Sequence, residues 1–160
     1  MAKKVADQLV DTLEKAGVRR IYAVTGDSLN EVNEAVRKNG RLRWIHVRHE
    51  ETGAYAAAAE AQLTGELACC AGSSGPGHVH LINGLYDAQR SGARVLAIAS
   101  TIPSREFGTE YFQETNTIKL FDDCSYYNQV ATTPEQFPRM LQGAMQAAIS
   151  SRGVGVMGLP

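Results

Sequence analysis

The sequence lacks a block of basic residues: its 16 Lys and Arg side chains are matched by 17 Asp and Glu, for a formal net charge of −1. Nucleic-acid binders need clustered positive charge to neutralise phosphates, so this balance excludes their usual electrostatic footprint. The longest apolar runs fall far below the ~18 residues that a membrane-spanning helix needs. Residues 1–4 are charged but lead into an amphipathic pattern, which argues against a signal peptide. We therefore expect no nucleic-acid partner, no transmembrane segment and a cytoplasmic location.

Cysteine is scarce, and the three cysteines have no arrangement typical of a disulfide framework or a zinc site. Cys69 and Cys70 are neighbours in a predicted strand, where successive side chains point to opposite faces. Cys124 has no CxxC partner, and all three thiols are predicted to be buried and reduced. His78 and His80 are two residues apart, a spacing that does not place them on one helical face. We therefore expect no metal site.

The chain does contain a repeated alternation of short apolar runs with amphipathic or alanine-rich segments. Its 160 residues, 44% hydrophobic and with 15 glycines, suit one ordinary soluble domain with a substantial core. This alternation predicts an α/β fold, a three-layer, doubly wound sheet of about six parallel strands with helices on both faces. We predict a single domain over residues 1–160.

Local signals predict the boundaries of several elements. Asp27 or Ser28 is expected to cap a helix after the first strand. A helix is expected over about residues 78–89, and Pro134 is expected at the start of the last helix. Residues 101–116 have few periodic apolar positions and are predicted to form a long irregular connection. Connections of this kind at the carboxyl end of a sheet are usually functional or mobile.

Residues 43–65 carry the strongest local indication of a site. An apolar run leads directly into three ionisable residues and then into an alanine-rich helix that closes at Gly65. Open α/β sheets bind ligands at the carboxyl ends of their strands, and Glu50 lies at such a junction. The alanine face after it is thin enough for another backbone to approach closely. The alternative is an exposed glutamate in a first helical turn, where it favours the helix dipole.

The glycine loop at residues 72–77 has the position of a phosphate cradle, between a strand and a helix. Its spacing fits neither G-x-G-x-x-G nor G-x-x-x-x-G-K-[ST], and Pro76 removes one amide donor. The spacing therefore favours a loop shaped for the close approach of a flat ligand or of another chain. A plain tight turn is the remaining alternative.

Four short motifs are informative when taken together, and the similarity that they reveal spans essentially the whole chain. They are VTGDSLN at 24–30, RHEE at 48–51, GSSGPGHVHLINGLYD at 72–87 and YFQET at 111–115. In order and spacing they resemble the amino-terminal pyrimidine-binding domain of thiamine-diphosphate enzymes. The resemblance is greatest to bacterial pyruvate oxidases and quinone-dependent pyruvate dehydrogenases, which are flavoproteins that decarboxylate pyruvate.

The resemblance implies a role for Glu50. In that family the corresponding glutamate hydrogen-bonds a nitrogen of the cofactor's aminopyrimidine ring and shuttles the proton that leads to the reactive thiazolium carbon. The family's glycine-proline-glycine turn matches Gly75, Pro76 and Gly77, which are expected to form a wall of the cofactor and substrate pocket. This expectation replaces the phosphate cradle considered above.

The resemblance also implies residues on the substrate side of the pocket. They are Asp27, Ser28, His80, Phe112 and Gln113, with polar donors for the carboxylate of a small 2-oxo acid and an aromatic wall beside its methyl group. Each has a structural alternative. Asp27 or Ser28 would only cap a helix, His80 would be an interior histidine with its hydrogen bonds satisfied, and Phe112 would belong to the core.

The chain lacks two parts that the resemblance implies for a full-length enzyme. These are a central domain that binds FAD and a third domain whose G-D-G motif holds Mg²⁺ and the diphosphate; no G-D-G occurs in this sequence. The cofactor in this family lies between the pyrimidine-binding domain of one subunit and the diphosphate-binding domain of another. We therefore expect half a site, an isolated chain without activity, and a homodimer. The full-length enzyme is expected in the cytoplasm or at the inner membrane surface.

Two other readings stay open at this point. The chain could be a separately encoded subunit that completes its site with a partner, as in two-subunit 2-oxo acid decarboxylases. It could instead be a non-catalytic module that dimerises through the alanine-rich helix and the glycine loop. Glu50→Gln separates these readings, because only the enzymatic ones predict a severe loss of activity.

Overall fold

A computed structural model describes residues 3–160. Six strands form one sheet in the order β2-β1-β3-β4-β6-β5, and each neighbouring pair is parallel. The predicted doubly wound sheet of parallel strands is therefore confirmed. The strands are β1 (Arg20–Ala23), β2 (Arg43–His46), β3 (Ala68–Gly72), β4 (Val95–Ser100), β5 (Tyr127–Val130) and β6 (Val154–Leu159).

Helices cover both faces of the sheet, so the three layers are confirmed. One core cluster packs α1, α2 and α7 on one face, and a second packs α3, α5 and α6 on the other. Cys69 belongs to the first cluster and Cys70 to the second, as the alternation of a strand requires. The helices are α1 (Val5–Lys15), α2 (Asn30–Asn39), α3 (Glu50–Thr64), α4 (Pro76–Val79), α5 (Ile82–Ser91), α6 (Thr117–Leu120) and α7 (Phe137–Ser151).

Burial explains the composition of the strands. Every residue of β3, β4 and β6 is buried, because these central strands have helices on both faces, and their sequences are accordingly apolar apart from Ser100 at the end of β4. The edge strands β2 and β5 are partly exposed and more polar. All three cysteines are buried and free, as predicted. None of the helices within residues 3–160 is long and apolar enough to cross a membrane.

Two predicted helix boundaries are wrong. The helix expected over residues 78–89 is divided into α4 and α5, because the chain turns at His80 and Leu81 before it runs back along the sheet. The last helix begins at Phe137 and not near Pro134; Pro138, in its first turn, is the proline that starts it. The closure of α3 at Gly65, whose φ is +74°, and the irregular connection over 101–116 are confirmed.

Candidate active site

Four loops meet at the carboxyl edge of the sheet. They follow β1, β2, β3 and β4, and because the strands are parallel, all four emerge on the same edge. The residues singled out from the sequence lie on these loops and on the first turns of the helices that follow. Their contacts divide them into two adjoining groups.

Glu50 is the first residue of α3 and is buried, with its side chain only 11% exposed. The alternative of an exposed first-turn glutamate is therefore wrong. His49 occupies the N-cap position, where its Nδ1 accepts a hydrogen bond from the Glu51 amide at 3.3 Å. Nδ1 of His80 lies 3.0 Å from Glu50 Oε2, and the His49 and His80 rings are stacked with centroids 4.4 Å apart. One carboxylate oxygen of Glu50 is thus held in place by a histidine.

The other carboxylate oxygen faces Gly77. A Cβ at that position would lie 3.4 Å from Glu50 Oε1 and 3.0 Å from Ser73 Cβ, so glycine leaves open the space beside the carboxylate. Oε1 has no hydrogen-bond partner among residues 3–160. The carboxyl therefore has one oxygen paired within the chain and one available to a ligand.

The glycine turn is shaped by close approaches of the backbone. A Cβ at Gly72 would lie 2.5 Å from the Cα of His78, a separation that real structures do not tolerate. Gly75 has a φ of +67°, and a Cβ there would lie 3.1 Å from Gln113 Cβ. Pro76 occupies the first turn of α4, where its missing amide hydrogen costs nothing. Glycine is thus required here by contacts within the chain itself.

The second group forms around Ser28. Its hydroxyl accepts a hydrogen bond from the Ser74 amide at 2.9 Å and lies 3.0 Å from the Ser73 hydroxyl. Neither Asp27 nor Ser28 caps a helix: the N-cap positions before α2 and before the short 3₁₀ turn that precedes it are Leu29 and Gly26, without side-chain capping bonds. The capping expectation is wrong because the glycine turn takes up the serine hydroxyl.

A pocket of about 660 Å³ opens beside this second group. The Ser74 hydroxyl donates to Gln113 Oε1 at 3.0 Å across the pocket wall. Phe112 is 82% exposed, so the alternative that it belongs to the core is wrong. The lining residues are Asp27, Ser28, Ser74, Thr101, Ile102, Pro103, Ser104, Tyr111, Phe112, Gln113 and Pro160.

Four of the five residues expected on the substrate side line this pocket, and His80 does not. His80 instead contacts Glu50, and its side chain is 42% exposed, so the alternative of a satisfied interior histidine is wrong for it. The interior histidine is His78, which is fully buried. Sequence reasoning did not assign a role to His49 or Ser74, although both lie inside the motifs that carried the resemblance.

His49, Glu50 and His80 also offer three potential metal ligands whose atoms lie within 4.8 Å of one another. The 3.0 Å separation of His80 Nδ1 and Glu50 Oε2 is a hydrogen-bond distance, so these two atoms are paired without an ion. The expectation that this chain holds no metal stays a prediction.

The fold and this site together define a class of protein, an α/β domain that presents one buried carboxyl at a strand-to-helix junction beside a glycine turn. A family model described as the thiamine pyrophosphate enzyme, N-terminal TPP binding domain, matches residues 3–120. The chain belongs to this family of amino-terminal domains of thiamine-diphosphate enzymes.

Curated relatives match nearly the whole chain. It is 57% identical over 157 residues to an uncharacterized 42.6 kDa protein in the isoamylase 3′ region of Pseudomonas amyloderamosa, covering 98% of this chain and 40% of that protein. It is 38% identical over 153 residues to the pyruvate oxidase of Lactiplantibacillus plantarum, covering 95% and 25% respectively. It is 33% identical over 150 residues to acetolactate synthase 3, chloroplastic, of Brassica napus, covering 94% and 23%. The chain thus spans 40% or less of the length of these relatives.

Proposed function

We propose that this chain is the pyrimidine-binding half of a thiamine-diphosphate enzyme of the pyruvate oxidase type, which decarboxylates a small 2-oxo acid, pyruvate in the first instance. The observation that carries the proposal is the environment of Glu50, a buried carboxyl with Oε2 paired to His80 and Oε1 beside the space that Gly77 leaves open. The cofactor would supply the nucleophilic carbon that adds to the 2-oxo group.

Each residue of the first group has a task in this proposal. Glu50 Oε1 would hold and exchange a proton with a nitrogen of the aminopyrimidine ring. His80, 3.0 Å from Oε2, keeps the carboxylate turned toward Gly77. A side chain at 77 would occupy the space beside Oε1, so glycine permits the flat ring to approach. Gly75 and Pro76 hold this turn in position from the far side.

The 660 Å³ pocket would take the substrate. Because Gln113 Oε1 accepts a hydrogen bond from Ser74, the amide hydrogens of Gln113 Nε2 remain available for a carboxylate. Phe112 offers an aromatic surface beside the substrate's methyl group. Asp27 and Ser28, in the loop after β1, line the same pocket.

The choice of pyruvate oxidase over acetolactate synthase rests on likeness, chiefly in TGDSLN and YFQET. The identities of 38% and 33% to the two enzymes differ too little to separate their chemistries. FAD, Mg²⁺ and the diphosphate would be held by other domains, including one from another subunit, because these 160 residues contain no G-D-G motif. The chain alone is accordingly expected to be inactive.

Glu50→Gln tests the proposal. In an enzyme assembled from this chain and its diphosphate-binding half, the change removes the group that exchanges the proton while keeping its shape. We expect the exchange of the cofactor's thiazolium C2 proton, followed by NMR in D₂O, and the decarboxylation of pyruvate to slow on the order of 10²–10⁴-fold.

Glu51→Gln is the matched control. Glu51 also lies in the first turn of α3, but its carboxylate accepts a hydrogen bond from Asn83 and is not among the atoms nearest to a Cβ at Gly77. Glu51→Gln is expected to keep most of the activity of the assembled enzyme. In a separate assay, the 160-residue chain alone, with cofactor and Mg²⁺, should release no carbon dioxide from pyruvate. Equal C2 exchange in Glu50→Gln and Glu51→Gln would refute the assigned role and favour a non-catalytic module.

A further inference from the structure

His78 is a fully buried histidine in the short helix α4, and both of its ring nitrogens have partners. Nδ1 lies 2.7 Å from the carbonyl oxygen of Ser100, and Nε2 lies 2.5 Å from the hydroxyl of Thr115. Because a carbonyl oxygen can only accept, Nδ1 carries the hydrogen, and Nε2 of the neutral ring accepts one from Thr115. The Phe121 ring packs against it with centroids 5.9 Å apart.

The two partners of His78 lie at the two ends of one segment. Ser100 is the last residue of β4, directly before the irregular connection 101–116, and Thr115 lies near the end of that connection. Within residues 3–160, only two side-chain hydrogen bonds join residues 103–115 to the rest of the chain. They are Ser74 to Gln113 and Thr115 to His78. The His78 imidazole therefore links the two ends of the connection through Ser100 and Thr115.

The connection carries one wall of the 660 Å³ pocket, including Phe112 and Gln113. It also lines a second pocket of about 510 Å³, through Phe107, Glu114 and Thr115 among others. His78 follows Gly77 directly, so the residue that closes the connection is bonded to the residue that borders Glu50. The position of the pocket wall relative to Glu50 thus depends on His78.

We propose that His78 is a positioning residue that clamps the connection 101–116 through Ser100 and Thr115 and thereby sets the substrate-pocket wall formed by Phe112 and Gln113. The clamp itself follows from the contacts of His78, whereas its consequence for substrate binding rests on the proposed function. Neither His78 nor Thr115 touches Glu50, so the clamp acts on substrate affinity and not on proton exchange.

Limited trypsin digestion of the 160-residue chain tests the clamp, because the connection contains the exposed Arg105, whose side chain is 82% exposed. Thr115→Val removes the hydroxyl and keeps the shape, and we expect cleavage after Arg105 to become on the order of tenfold faster. Thr115→Ser retains a hydroxyl and is expected to restore the wild-type rate. Thr64→Val makes the same chemical change at the last residue of α3, which lines neither pocket of the connection, and should leave cleavage after Arg105 unchanged.

Two internal references keep the test decisive. Cleavage after Lys38, in α2, reports general loosening, and a thermal melt reports global stability. The clamp is refuted if Thr115→Val leaves Arg105 cleavage at the wild-type rate, or if it accelerates cleavage at Arg105 and Lys38 equally. His78→Gln gives a second reading by the same digestion, and ¹⁵N NMR of the wild-type ring should show the hydrogen on Nδ1.

The consequence of the clamp for substrate binding is measured separately, in the assembled enzyme. Thr115→Val is expected to raise KM for pyruvate severalfold and leave C2 proton exchange unchanged. A slowed exchange with an unchanged KM would overturn the positioning role. If Thr115→Val accelerates cleavage after Arg105 but Glu50→Gln does not change the enzyme's activity, the clamp is supported and only the proposed function is refuted.

Discussion

His78 illustrates how burial sets the properties of a single side chain. Burial lowers the pKa of His78 below its ordinary value of 6.5, and the carbonyl of Ser100, which raises it, only partly opposes this. Within residues 3–160, no charged side chain contributes to this shift, and the contacts of the ring are with Ser100, Thr115 and Phe121. The ring therefore stays neutral, which keeps Nε2 an acceptor for Thr115 at neutral pH.

The lowered pKa predicts a dependence of stability on pH. The unfolded chain takes up a proton at His78 near pH 6.5, whereas the folded chain resists it until a lower pH. The contribution of His78 to the free energy of unfolding is therefore fully present above the unfolded pKa. It is lost as the pH falls through the folded pKa.

Urea unfolding of wild type and His78→Gln, at about pH 7.5 and about pH 5, measures this contribution. We expect the wild type to lose more unfolding free energy between the two pH values than the variant does. An equal loss in both proteins would contradict the assignment, and comparing the two removes the effects of the other histidines.

The same residue scale shows what the motifs could predict. Glu50 was expected at a strand-to-helix junction because an apolar run leads there directly into ionisable residues and an alanine-rich helix. Its partner His80 was expected on the substrate side because the resemblance implied it, and no spacing in the sequence indicated its contact with Glu50. That contact joins residues 30 positions apart in the chain.

The pair α3 and α5 shows how an element's composition decides its packing. The alanine face of α3 was predicted to let another backbone approach closely, and Gly84 of α5 does so. A Cβ at Gly84 would lie 2.5 Å from Ala54 Cβ and 2.7 Å from the Tyr55 amide nitrogen. Small residues on both helices are thus required for their contact. This contact fixes the position of α3, and Glu50 is the first residue of that helix.

Gly84→Ala is therefore expected to destabilise the domain by about 1–3 kcal/mol, because backbone atoms of α3 cannot move aside singly. Gly143→Ala in α7 is the matched control: the three atoms nearest to its Cβ would all belong to the Tyr127 phenol group, from 3.0 Å, the far part of a side chain that can shift. The gain in helix propensity, about 1 kcal/mol, should offset that contact. Urea unfolding measures both, and equal effects at the two glycines would contradict the packing argument.

Element boundaries were predicted well where one residue decides them and poorly where tertiary contacts do. Gly65 ends α3 because it adopts a φ of +74°, which few other residues tolerate. The division between α4 and α5 has no comparable signal in the sequence. It lies just after the close approach of His78 to Gly72 at the end of β3, which the sequence does not reveal.

For the molecule as a whole, the exposed apolar side chains indicate association. Tyr55 and Leu63 of α3 are 43% and 88% exposed, and Phe112 is 82% exposed at the pocket. Apolar surfaces of this kind are commonly covered by a partner. The homodimer expected from the sequence stays a prediction.

Light scattering at tens of micromolar protein tests it, with a dimer mass expected for the wild type. Leu63→Arg should shift the mass toward that of a monomer if α3 lies in the interface. Ile149→Arg is the matched control, since Ile149 is 42% exposed on α7, on the opposite face of the sheet. A wild-type monomer, or dissociation caused only by Ile149→Arg, would count against an α3 interface.

The sequence by itself determined the class of fold and the place of the site. Central strands buried on both faces must be apolar throughout, and helices on a sheet must be amphipathic or small, so the alternation of these patterns specifies a parallel sheet flanked by helices. Parallel strands bring their carboxyl ends to one edge, which places Glu50, Ser28 and the glycine turn together before any contact is known. The family motifs then pointed to a thiamine-diphosphate enzyme.

Only the tertiary structure decided which side chains meet within that edge. Ser28 contacts the Ser74 amide 46 positions away, His80 contacts Glu50 and does not line the 660 Å³ pocket, and His78 joins both ends of the connection 101–116. These contacts depend on ångström-scale distances between loops that are remote in the chain. Periodicity and residue type specify which face a side chain lies on, but they do not specify those distances.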